Sequence, residues 1–115
     1  NGKMYQQVKL RPGTYRLEVT YAYTKVLDGN FVAAFIVKGT EENDIPDTDQ
    51  VATLDGTKGV YASYKTSTVD GASGQLVTAS FNLEEETDVL IGFLTTMNSG
   101  ANSYFKITEV KLVLE

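Results

Sequence analysis

From position 14 the chain reads Thr-Tyr-Arg-Leu-Glu-Val-Thr-Tyr-Ala-Tyr, which puts Tyr15, Leu17, Val19, Tyr21 and Tyr23 on one side of an extended segment and polar or small residues on the other. A period of two is what a strand buried on one face requires. The same pattern predicts strands over 4–10, 14–26, 31–38, 59–67, 75–83, 87–96 and 104–114. Between them lie Arg11-Pro12-Gly13, Asp28-Gly29, Asp70-Gly71-Ala72-Ser73-Gly74, Glu84-Glu85-Glu86 and Asn98-Ser99-Gly100-Ala101-Asn102. Pro presets φ and Gly, Asn and Asp tolerate turn conformations, so these are turn and short-loop segments. Short strands at regular spacing predict an all-β chain, an antiparallel β-sandwich of seven to eight strands. The stretch 39–58 breaks the rhythm. Within it, Asp47 or Thr48 would cap a short helical turn carrying Val51, Ala52 and Leu54.

Asp28-Gly29 is hairpin chemistry, and a two-residue loop sets Leu27 opposite Asn30. Counting back, Tyr23 falls opposite Ala34 and Tyr21 opposite Ile36 on one face, with Ala22 opposite Phe35 and Val26 opposite Phe31 on the other. The tyrosine face is the expected core. Phe31 and Phe35 then face outward and need cover from the 39–58 stretch, a neighbouring domain or a ligand, unless a bulge near Lys25 turns them inward. If successive strands alternate in direction, the loops sort onto two ends. One end collects the Pro12-Gly13 turn, 39–58 and Glu84 to Glu86 and is acidic. The other collects Asp28, Gly29, Asn30, the 70–74 loop and 98–103, with Phe31 and Tyr104 opening the strands just below.

Composition narrows the chemistry. With 115 residues the chain is a single domain able to bury roughly two-thirds of its unfolded surface. It holds no Cys, which excludes disulfides, thiol catalysis and thiolate metal sites but fits either a reducing compartment or a secreted bacterial domain. It holds no His, which removes Ser-His-Asp triads and most zinc or copper sites. The net charge of −5 argues against nucleic acid as a partner, because neutralising phosphates takes clustered Lys and Arg. No apolar run approaches the roughly 20 residues of a membrane span, so no membrane insertion is expected. The chain opens at Asn1-Gly2, close to a strand, and reads as a domain excised from a larger exported protein.

Two groups of residues offer binding chemistry. Asp28, Asn30, Asn98 and Asn102 beside Tyr104 combine amides and a carboxylate with an aromatic ring, the pairing that suits sugar hydroxyls and apolar sugar faces. The same residue types also populate loops for backbone reasons alone. Tyr104 serves equally as a rim platform or as part of the core edge. Tyr61 and Tyr64 cannot share a face of a regular strand, so one of them is exposed or packed by a loop. The run Glu41-Glu42-Asn43-Asp44-Ile45-Pro46-Asp47-Thr48-Asp49 supplies hard oxygen ligands, and calcium is possible if Asp44, Asp47 and Asp49 converge, though the spacing is not that of an EF-hand. No other cofactor is indicated. A carboxylate pair for glycoside cleavage lacks an apolar wall, and P-loop and GxSxG motifs are missing, so no enzyme is expected.

The segments KMYQQVKLRPGTYRLEVTYAY, NDIPDTDQVATL, SFNLEEETDVLIGF and YFKITEVKLVLE together resemble the galactose-binding-like jelly roll of carbohydrate-binding modules. More narrowly, they are similar to an uncharacterised C-terminal domain of Bacteroidetes surface lipoproteins. That resemblance spans nearly the whole chain and implies a β-sandwich, a cell-surface or extracellular location, and association with glycan capture. It transfers no site residue position by position, and Trp, the usual sugar platform of such modules, is absent. The expected function is a non-catalytic module that recognises carbohydrate through loops at one end. The alternative is a structural or interaction domain that positions neighbouring domains of the same chain and binds no small ligand, with Phe31 and Phe35 as its contact surface.

Overall fold

The computed structural model describes residues 2–25, 31–64, 72–96 and 104–115. The strands are β1 (Gly2–Leu10), β2 (Gly13–Lys25), β3 (Phe31–Lys38), β4 (Gly59–Ser63), β5 (Ala72–Val77), β6 (Phe81–Leu83), β7 (Thr87–Thr96) and β8 (Tyr104–Leu114), with short 3₁₀ turns at Glu42–Asp44 and Val51–Thr53. They form two antiparallel sheets of four strands, as the alternating pattern predicts. The first sheet runs β1-β7-β3-β4. In the second, β2 takes β5 and β6 end to end along one edge and β8 along the other. No helix among the described residues is long and apolar enough to cross a membrane.

Four of the five expected core residues on β2 are observed in the core, and the Tyr23 side chain lies outside the described residues. Tyr15, Leu17 and Val19 are buried on the inner face of β2, against Val32, Ala34 and Ile36 of β3 and Val89 of β7, and Tyr21 is partly buried beside them. Each fully buried aliphatic side chain contributes about 1.5–3 kcal/mol. Tyr15 is also anchored through its hydroxyl, which donates to the Arg11 carbonyl at 2.8 Å and pins the turn between β1 and β2.

β2 and β3 do not pair as a hairpin, which corrects the predicted register. β1 and β2 lie in different sheets, and so do β2 and β3. Tyr21 stands opposite Gly74 and Ile107, while Ile36 stands opposite Ile91 and Val60. The cause lies in β3. Its residues from Val32 to Val37 are buried without a break, because a central strand covered on both faces has no polar side. Both of its edges are occupied, leaving none for β2. Residues 26–30 lie outside the described residues.

The outer face of the first sheet is covered by 39–58. Ile45 and Val51 are buried there against Phe35, Val37, Leu90 and Leu94, with Phe31, Leu54 and Tyr61 partly buried around them. Phe35 therefore faces outward from its sheet, as the pattern predicts, and finds its cover within this domain. Tyr61 packs on the same layer, whereas Tyr64 points into the inner core and meets Tyr21 edge-to-face at 4.9 Å between ring centroids. The predicted short helical turn is present as Val51–Thr53; Gln50, not Asp47 or Thr48, stands at its N-cap position and makes no side-chain capping hydrogen bond. The predicted strand over 75–83 is broken into β5 and β6 at 78–80.

Candidate functional site

Strand registers decide which loops can meet. Phe31 lies opposite Thr96, Ala33 opposite Ser63, Lys25 opposite Tyr104 and Thr24 opposite Ala72. The strand ends that flank 26–30, 65–71 and 97–103 thus stand at one end of the sandwich, the end at which the loop-sorting argument places them. Of the predicted ligand-binding residues, Tyr104 opens β8 across from Lys25. Asp28, Asn30, Asn98 and Asn102 lie outside the described residues.

The acidic stretch is not confined to the opposite end. It climbs the outer face of the first sheet as far as Thr96, whose hydroxyl donates to that of Thr48 at 3.1 Å. Lys3 fastens it, donating to the Ile45 carbonyl at 2.9 Å and pairing with Asp47 at 3.1 Å. One Asp44 carboxylate oxygen accepts the N–H groups of Thr40 and Glu41 at 3.0 and 3.1 Å. Asp44 and Asp47 are thereby engaged separately, and among the described residues no three acidic side chains are placed to hold a metal ion. The Thr40 and Glu41 hydrogen bonds hold the Asp44 pKa below its ordinary value. Glu115 is likewise lowered, by the Ser80 hydroxyl and then by Arg16, and Asp55 by the Thr57 hydroxyl and N–H. All three shifts favour the ionised form.

A second feature has no counterpart in the sequence reading. Among the described residues β1 is paired only with β7 and β8 only with β2, so both are edge strands on the same side of the sandwich. Between them the sheets stand apart around an apolar slot of about 520 Å³. Leu17, Ile91 and Phe93 line its depth, with Met4 and Gln6 on the β1 lip and Val110 on the β8 lip. Met4 is 64% exposed and Val110 46%, although both occupy inward positions of their strands. The alternation in 4–10 and 104–114 is that of an ordinary half-buried strand, so sequence cannot tell an uncovered inner face from a covered one. Gln6, a polar residue in phase with Met4 and Val8, is the one hint.

Comparison of the chain with protein-family models, with curated proteins and with solved structures finds no match.

Proposed function

We propose that this chain is a non-catalytic binding module of an exported, cell-surface protein, and that it recognises carbohydrate through the loops at the end where β2 and β7 finish and β8 begins. The observation that carries this reading is the register, which gathers the flanks of three loops rich in Asn, Asp, Ser and Gly at one end, with Tyr104 at their edge. Loops carried on a rigid strand framework are where binding residues commonly sit. The resemblance to galactose-binding-like modules and to a domain of Bacteroidetes surface lipoproteins points the same way and carries the proposed location. Glycan-array binding, repeated with Tyr104→Ala and Asn102→Ala, tests the reading. Retention that both variants weaken is expected, and no retention on any polysaccharide would sink it.

The second reading, an interaction domain, is favoured by a different observation. Phe35 no longer supports it, being fully buried under 39–58. The slot between β1 and β8 does, because inward apolar side chains left in solvent beside two strand edges that are free among the described residues suit cover by another protein.

A further inference from the structure

The interaction reading gains a specific partner from the charge pattern along β8. We propose that the chain forms a two-fold dimer in which β8 pairs antiparallel with the β8 of a second copy, Val110 opposite the partner's Val110, closing the slot; this rests on the interaction reading and not on the carbohydrate one.

β8 spans Tyr104–Leu114 and pairs with β2 without a slip from Glu109 to Leu114, and its edge away from β2 is free among the described residues. Its inward positions are apolar and under-covered: Val110 is 46% exposed and Leu114 62%, with Leu112 partly buried between them. Its outward positions beside Val110 are Glu109 and Lys111, both exposed, with their charges 3.5 Å apart. A two-fold axis perpendicular to the sheet through Val110 sets Lys111 opposite the partner's Glu109, and Glu109 opposite the partner's Lys111. Moving the axis one residue either way sets Glu109 or Lys111 against its own copy, a like-charge pair. Charges on an edge strand ordinarily repel foreign strands. Here they are spaced so that a second copy pairing about Val110 sets opposite charges face to face. The axis preserves the faces of the sheet, so the slots of the two copies open toward each other and Met4 and Phe93 lose solvent along with Val110. A closed, self-complementary contact of this kind is the commonest route to a homodimer.

Light scattering on size-exclusion fractions across a concentration series tests the proposal. The unmodified chain is expected to be dimeric at the upper concentrations and Val110→Arg monomeric. Lys111→Glu should weaken association roughly tenfold, and Glu109→Lys combined with Lys111→Glu should restore it. Lys111 also lies opposite Glu18 within its own sheet, so each variant's thermal midpoint is measured alongside, and Glu109→Lys alone, which lies opposite Thr20 and sets two lysines together across the proposed axis, carries the charge test if Lys111→Glu unfolds. A double variant that associates no better than Lys111→Glu overturns the register, and a dimer that survives Val110→Arg overturns the surface. A wild-type monomer that binds an apolar dye, with binding lost in Val110→Arg, overturns the dimer while leaving the interaction reading. A monomer that binds no dye overturns both.

Discussion

Where β5 ends and β6 has yet to begin, β2 passes a gap in its neighbour, and one side chain completes the ladder. Thr78 is buried, its N–H donates to the Leu17 carbonyl at 3.0 Å, and its hydroxyl accepts the Leu17 N–H at 2.9 Å. Thr78→Val keeps the shape but leaves the Leu17 N–H unpaired in the core, a loss of about 1–3 kcal/mol. Urea unfolding should show that loss for Val and little for Thr78→Ser; equal midpoints for wild type and Val would refute the role. Nothing in the sequence marks Thr78, since a Thr in a strand-like run is ordinary, whereas the burial of Tyr15, Leu17 and Val19 is legible from their spacing alone. A second residue-scale effect concerns acid. The Asp44 carboxylate is stabilised in the folded state by the Thr40 and Glu41 N–H groups, which lowers its pKa. The stabilisation is present above the unfolded pKa of about 3.9 and fades as pH falls through the lower folded value. Between pH 7 and pH 3 the wild type should therefore lose more stability than Asp44→Asn. An equal decline in both would show that these bonds do not respond to charge.

At the scale of elements, the outer layer depends on 39–58 and on β1. Ile45 is 2% exposed beneath the excursion, against Phe35 and Leu90. Ile45→Ala should cost about 2–4 kcal/mol and admit solvent to Phe35. Denaturation midpoints measure the first effect, and increased dye binding the second. That the stretch covers Phe35 is among the alternatives readable in the sequence, because an unbroken apolar run in β3 demands a lid on each face. That Lys3 fastens the lid is not, since a lysine near a strand start carries no sign of its partner. β1 depends in turn on Gly92, which lies opposite both Tyr5 and Phe35. A Cβ at Gly92 would collide with the Met4 carbonyl and crowd the Tyr5 backbone. Gly92→Ala should loosen β1 from β7 while leaving β3 and β4 in register. Amide exchange should then rise along β1 first, and protection lost uniformly across the sheet would contradict this account.

The molecule as a whole is built from pairings between segments distant in sequence. β1 and β2, β2 and β3, β4 and β5, β6 and β7, and β7 and β8 are neighbours along the chain yet lie in different sheets. β3 and β4 do pair, but only across the whole of 39–58. This arrangement explains which part of the fold is legible. Face alternation depends on local residue type, so the sandwich and the strand positions can be read directly. Partner choice depends on which edges other strands have already taken, and no dipeptide encodes that, so Asp28-Gly29 points to a hairpin that the edges of β2 and β3 cannot accommodate. The candidate rim shares the difficulty, because the strand ends that flank its loops are brought to one end only by pairings between distant strands. Two consequences can be measured. A peptide spanning 13–38 should be unstructured in water, because without β5, β6, β7 and β8 neither strand has its partner; cross-strand nuclear Overhauser contacts between Tyr21 and Ile36 would reinstate the hairpin. The intact chain should refold in milliseconds to seconds, since loop-closure entropy must be met before any long-range pair forms. Stopped-flow tyrosine fluorescence reads that rate, and refolding complete within microseconds would mean that local contacts, not this topology, limit the search.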